Sequence, residues 1–92
     1  IVFNNFAHDS VGGQPTSAYN MNIPKIAKAS GYANAFSVET KEGIESKIKK
    51  IMEMDGPILL EVKVNKGARK DLGRPTIPLI QNKEAFMKFI QY

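Results

Sequence analysis

The chain has 92 residues, room for one small domain. Its 13 Lys and Arg outnumber 9 Asp and Glu, for a formal charge of +4, on an ordinary globular balance of 42% apolar and 24% charged residues. These figures exclude a disordered tail, a collagen-like repeat and an acidic solvating segment. Cysteine is absent, which excludes disulfides and thiolate-bound zinc. His8 is the one histidine, so any metal must rely mainly on oxygen ligands, which favours Mg²⁺ or Ca²⁺. No apolar run is long enough to span a bilayer, so no membrane association is expected. No targeting segment precedes the first strand, and a cytoplasmic location is the expectation.

In chain order, Ile1-Val2-Phe3 reads as the C-terminal half of a buried strand, ended by Asn4-Asn5. A chain that opens inside a strand predicts a fragment of something larger, and at this length it buries too little surface for more than marginal stability. Residues 6–22 read as a long loop, with Gly12-Gly13, Pro15 and scattered Ser, Thr and Asn. Loops of this length are functional or disordered. A short helix follows over 23–30, capped by Asn22, with Pro24 in its first turn and Gly31 as its stop. Residues 33–38 form a second strand with Phe36 and Val38 on one face. Thr40 caps a second helix reaching about Met54, with Ile44, Ile48, Ile51 and Met52 as an apolar stripe.

Residues 58–64 give the strongest strand signal: Ile58-Leu59-Leu60 is continuous, then Val62 and Val64 alternate with Glu61 and Lys63. A run apolar on both faces predicts a central parallel strand. A second long loop covers 65–82, and a terminal helix over 83–90 is capped by Asn82. Strands alternating with helices predict an α/β fold: a small parallel sheet of about three strands flanked by helices, joined by right-handed crossovers. Both long loops follow a strand directly. They should therefore share the carboxyl end of the sheet, where such folds bind ligands.

The first loop, 4–16, offers neutral oxygen donors and one formal charge, Asp9. An Asn carbonyl and a nearby backbone carbonyl can complete a Mg²⁺ shell with a carboxylate, phosphate oxygens and water. Gly12 and Gly13 permit positive φ or a close approach of ligand to backbone. The plainer reading is that Asn5 and the glycines only form a turn.

The pattern Asn4-Asn5, then Ala7-His8-Asp9-Ser10-Val11-Gly12-Gly13-Gln14-Pro15-Thr16, resembles the end of the cofactor motif of thiamine-diphosphate-dependent enzymes. Within that superfamily it is most similar to the phosphonopyruvate decarboxylase family. Lys66-Gly67-Ala68-Arg69-Lys70-Asp71-Leu72-Gly73-Arg74-Pro75-Thr76 and Asn82-Lys83-Glu84-Ala85-Phe86 extend the resemblance over the whole chain.

The resemblance implies that residues 1–92 are the C-terminal part of a Rossmann-like diphosphate-binding domain. The upstream Gly-Asp-Gly and the pyrimidine-binding domain would lie outside this chain. It implies thiamine diphosphate and Mg²⁺ as cofactors, with Asn5 binding the metal through its side chain and Ala7 through its backbone carbonyl. Asn4, Ser10, Gly12, Gly13 and Gln14 fall in the same cofactor-binding stretch. The implied reaction converts 3-phosphonopyruvate to phosphonoacetaldehyde and CO₂. Decarboxylation of sulfopyruvate, whose motif is closely similar, is the alternative, and an acetolactate-synthase-like joining of 2-keto acids is a weaker third. The partners implied are the remainder of the enzyme and a second subunit.

His8 is the candidate proton donor or acceptor, since an imidazole can both give and take a proton. Its plainer role is a hydrogen bond within its loop. Asp9 either orients His8 or faces water, and Ser10 and Gln14 either meet a ligand or satisfy loop backbone. Lys63, Lys66, Arg69, Lys70 and Arg74, opposed by Asp71, make a basic stretch of net +4. Arg69 and Arg74 are the candidates for the substrate phosphonate, because guanidinium forks suit such anions; a solvated face is the plainer reading. The basic loop also raises nucleic-acid binding or a non-catalytic basic module as a different class. No aromatics interleave with the lysines, and Phe3, Phe36, Phe86 and Phe89 read as core positions, so no nucleic-acid partner is expected; Phe86, Phe89 and Ile90 read equally as the surface that meets the remainder of the enzyme.

Overall fold

The computed structural model describes residues 1–91. The chain runs β1 (Val2–Asn4), β2 (Ala7–His8), β3 (Gln14–Pro15), α1 (Ile23–Ala29), β4 (Asn34–Val38), α2 (Lys41–Ile51), β5 (Ile58–Lys63) and α3 (Leu79–Ile90). Strands β1, β5 and β4 form one parallel sheet in that spatial order. The continuous apolar run of residues 58–60 thus becomes the central strand, as its two-sided pattern requires. Val2 pairs with Glu61 on one side, and Asn34 with Ile58 on the other.

Local chemistry sets the helix starts. The Asn22 side chain accepts from the Lys25 N–H at 2.9 Å, and Thr40 Oγ1 accepts from the Gly43 N–H at 3.1 Å. Each satisfies an N–H that the first turn leaves without an intrahelical partner. Helix α1 packs on β4 and β5, and α2 on β4. The Lys47 ammonium sits 4.2 Å from the centre of the Phe36 ring, joining α2 to the sheet.

Several expected boundaries shift. Residues 6–22 are not one irregular loop: β2 and β3 form a short antiparallel hairpin, and 3₁₀ turns occupy Asp9–Val11 and Ser17–Asn20. Strands of two residues are too short to show any periodicity in a sequence. Helix α2 stops at Ile51, so Met52 leaves the apolar stripe and is 80% exposed. Helix α3 starts at Leu79, with Pro78 at its cap position. The ring fixes Pro78 at φ −54°, and its carbonyl accepts from the Asn82 N–H at 3.0 Å. Asn82 therefore lies inside the helix rather than capping it.

The buried apolar core comprises Ala27, Leu60 and Val62. Phe36 is half-buried, but three phenylalanines read as core are not: Phe3, Phe86 and Phe89 are 73%, 60% and 81% exposed. Phe3 pairs with Val62 and shares its face of the sheet, but β1 is an edge strand and α2 packs on β4 at the opposite edge. Phe86 and Phe89 lie on α3, none of whose residues is buried. The Cα radius of gyration is 16.8 Å, against about 12 Å for a compact domain of this length. Among the described residues no helix is long and apolar enough to cross a membrane.

Candidate functional site

A cleft of about 790 Å³ opens at the carboxyl ends of the sheet strands. Asn5, Ala7 and Gly13 line it from the first loop, Glu39 from just beyond β4, and Lys63 and Lys66 from the end of β5 and its following loop. Both long connections meet there, as parallel strand order demands.

The Asn-Asn pair splits into two roles. Asn4 is 7% exposed and faces inward: its Nδ2 donates to Glu61 Oε1 at 2.7 Å, and its Oδ1 accepts from the Phe6 N–H at 3.0 Å. Asn5 faces the cleft, where its Oδ1 accepts from the Ala7 N–H at 3.1 Å and its Nδ2 donates to Asp9 Oδ2 at 3.2 Å. Two successive side-chain turns of this kind bend the chain sharply. Phe6, between them, takes φ +58°, a left-handed conformation costing about 1–2 kcal/mol for a residue with a Cβ. Its ring stacks on Tyr19, with centroids 4.8 Å apart.

The hairpin then fixes Ala7. Thr16 N–H donates to the Phe6 carbonyl at 2.8 Å and Gly13 N–H to the His8 carbonyl at 2.9 Å. Carbonyls alternate in direction along a strand, so that of Ala7 points away from β3. Gly12 at φ +116° and Gly13 at φ +72° close the hairpin in a region that suits glycine.

His8 and Gln14 face each other across the hairpin as a register pair, and both are exposed. Ser10 lies exposed in the 3₁₀ turn. Asp9 neither orients His8 nor simply faces water. Its Oδ2 accepts from the Gly67 N–H at 2.7 Å as well as from Asn5. Lys66 Nζ donates to the Gly13 carbonyl at 3.2 Å, so the two loops are joined twice. Of the basic residues, Lys63 and Lys66 line the cleft. Arg69 sits further along the loop, 3.3 Å from the Asp71 carboxylate in an exposed ion pair, and Arg74 is exposed.

Glu61 is the residue the strand pattern passed over. It is 4% exposed, between Asn4 Nδ2 and Ser37 Oγ, each at 2.7 Å. The signal was present: a carboxylate in the middle of a strand apolar on both faces has no outward side to turn to. The cleft-facing lysines and Glu39 carry no such signal, since they depend on where strands from distant parts of the chain end.

The donor set fits a hard divalent cation bound to a diphosphate. Asn5 Oδ1 and the Ala7 carbonyl are neutral oxygens on two residues that line the cleft, and an amide oxygen already accepting one bond keeps a second lone pair. Among the described residues no cluster of three or more His, Cys, Asp or Glu side chains could hold a metal alone. A cation here would need phosphate oxygens and a further carboxylate to complete its shell. The two lysines and the glycine backbone suit the same anion.

Comparison with known proteins agrees with this geometry. Residues 1–62 match the family described as thiamine pyrophosphate enzyme, C-terminal TPP binding domain. Over 90 residues the chain is 28% identical to the phosphonopyruvate decarboxylase of Streptomyces viridochromogenes, covering 98% of this chain and 23% of that protein. Over 89 residues it is 27% identical to the phosphonopyruvate decarboxylase of Streptomyces hygroscopicus, covering 97% and 22%. The chain thus spans less than a quarter of the length of these curated relatives. No solved structure gives a significant match. With the family match running from β1 into β5, this chain belongs to the thiamine pyrophosphate enzymes, through their C-terminal TPP binding domain.

Proposed function

We propose that the chain is the C-terminal part of the diphosphate-binding domain of a larger, Mg²⁺-dependent decarboxylase acting on a 2-keto acid, with 3-phosphonopyruvate as substrate. One observation carries the choice of substrate. The similarity to two phosphonopyruvate decarboxylases covers 97–98% of the chain, so it continues past the family match at residue 62 through the basic loop. That loop carries the net +4 stretch of this chain and lies beyond the part matched by the generic cofactor domain.

Thiamine diphosphate, when bound, supplies the electron sink that lets the bond to the carboxylate break. The residues of this chain would supply one wall of the site. Asn5 Oδ1 and the Ala7 carbonyl would hold Mg²⁺ against the diphosphate, with the backbone around Gly12 and Gly13, and Ser10 and Gln14, completing that end of the site. Lys66 and Lys63 would meet the anionic substrate in the cleft, while Arg69 and Arg74, the arginines first considered for its phosphonate, would add only to the long-range field of the outer loop. The carbon–carbon bond to the carboxylate breaks, CO₂ leaves, and the former keto carbon takes up one proton. His8, the residue after Ala7, is the proposed source of that proton. The remainder of the enzyme and a second subunit would complete the site.

The test uses the full-length protein supplied with thiamine diphosphate and Mg²⁺. CO₂ release is followed from phosphonopyruvate, sulfopyruvate and pyruvate side by side. A higher kcat/KM for phosphonopyruvate is expected, and Asn5→Ala should lower it by at least the ~10–100-fold that even outer-shell metal partners are worth. Preference for sulfopyruvate would transfer the assignment to the sulfonate analogue. No turnover of any keto acid would sink the reading.

A further inference from the structure

Glu61 is a buried carboxylate to which the proposed reaction gives no part. It is 4% exposed, in the central strand, and does not line the cleft itself but a smaller adjoining cavity of about 170 Å³ that shares Phe6, Tyr19 and Lys63 with it. A buried carboxylate is costly unless its oxygens are satisfied. Both are: Oε1 accepts from Asn4 Nδ2 and Oε2 from Ser37 Oγ, each at 2.7 Å. These bonds tie the middle strand to both of its neighbours, since Asn4 ends β1 and Ser37 lies in β4.

The consequence runs outward through Asn4. With its Nδ2 held by Glu61, the amide presents Oδ1 to the Phe6 N–H at 3.0 Å. That bond holds Phe6 at φ +58°, the left-handed turn that reverses the chain between Asn5 and Ala7. Carboxylate oxygens accept only, so Glu61 also fixes which way the Asn4 amide faces. Were Asn4 flipped, its NH₂ would meet the Phe6 N–H and the turn would lose its anchor. Glu61 reaches the cleft wall through this relay without touching any ligand.

The geometry points to Glu61 as a positioning residue: through Asn4 it sets the strained turn at Phe6 and thereby aligns the Asn5 side chain and the Ala7 carbonyl for a divalent cation. This rests on the Mg²⁺-diphosphate reading of the cleft.

The experiment measures thiamine diphosphate binding to the full-length protein by calorimetry, at fixed Mg²⁺, with the keto acid KM determined separately at saturating cofactor. Glu61→Ala should raise the cofactor Kd about tenfold, the low end of the ~10–100-fold range for direct outer-shell partners of metal ligands, because Glu61 reaches those ligands only through Asn4 and Phe6. The keto acid KM should change by less than about twofold, because the basic loop is untouched. Glu61→Gln should bind within about threefold of the parent, since its amide oxygen can still accept from Asn4 while its NH₂ donates to Ser37 Oγ. A residue that merely supports folding would lower the active fraction without moving Kd. If Glu61→Ala does not accumulate, Ser37→Ala decides: Ser37 is exposed, and losing its one bond to the carboxylate should raise Kd about threefold. An unchanged Kd in the tested variant, or Glu61→Gln as weak as Glu61→Ala, overturns the proposal. Absence of Mg²⁺-dependent binding in the parent would instead overturn the reading of the cleft.

Discussion

The two long connections, 5–22 and 64–78, leave the same end of the same sheet, yet they are built differently. The first is held by its own side chains. Asn4, Asn5 and Thr16 each accept from a backbone N–H two residues on, and a hairpin and two 3₁₀ turns fill the rest. The second has few such devices; Gly67 and Lys66 lean on the first loop, and beyond them Arg69 and Asp71 pair at the surface. One loop is a preformed wall and the other is draped against it. A wall suits a cofactor that must be held in one place, and a basic strap suits an anion that must arrive and leave.

Within the two loops, the largest effect is expected on the wall. Gly12→Val places a branched side chain at φ +116°, with the new Cβ 3.0 Å from the Gln14 amide. The conformation alone is expected to cost about 1–3 kcal/mol, read as a fall in the urea midpoint at unchanged slope. Thiamine diphosphate affinity should fall with it in the full-length protein. A variant as stable as the parent would mean that the hairpin closes without a left-handed residue.

The next effect sharpens the contrast at the point where the loops touch. Lys66 lines the cleft and donates to the Gly13 carbonyl, whereas Arg69 is turned toward Asp71 at the surface. Lys66→Met should raise the KM for phosphonopyruvate about tenfold, the worth of one charge-assisted hydrogen bond, and leave that for pyruvate nearly unchanged. Arg69→Gln should change either by no more than about twofold, since exposed charges are well screened. The reverse ranking would return the substrate anion to the arginines.

What could be read from the sequence follows the range of the forces involved. The caps at Asn22 and Thr40 depend on residues three positions away, and both stand where the sequence puts them. The parallel order followed from strands alternating with helices, and the central place of residues 58–63 from apolar residues on both faces. The meeting of both loops at one end followed from that order. Legibility ended where partners are distant. Nothing near Asn4 announces that Glu61, 57 residues on, takes its amide, and nothing near Asp9 announces the Gly67 N–H, 58 residues on. The hairpin was hidden for the opposite reason: it is too short to have a period, and its turn formers read equally well as an open loop. Phe86 and Phe89 left two readings open, core or a surface for the rest of the enzyme, because helical spacing reports that an apolar face exists, not what it meets.

The smallest expected effect concerns that face. Leu60 is 2% exposed in the central strand, and Phe89 is 81% exposed on α3. Leu60→Ala should cost about 2–5 kcal/mol, since it opens a cavity among packed neighbours. In the 92-residue chain itself, Phe89→Ser should fall within about 0.5 kcal/mol of the parent, the range for surface positions away from special contacts. Both are read from urea midpoints under the same conditions. The pair is informative because intrinsic hydrophobicity predicts the opposite order: Phe carries more apolar area than Leu, so a ranking by side chain alone would put Phe89 first. Only the fold, which buries one and not the other, reverses it. A loss of about 2 kcal/mol or more at Phe89 would mean that α3 folds back onto the sheet in solution, and the draped half of the molecule would have to be counted with the wall.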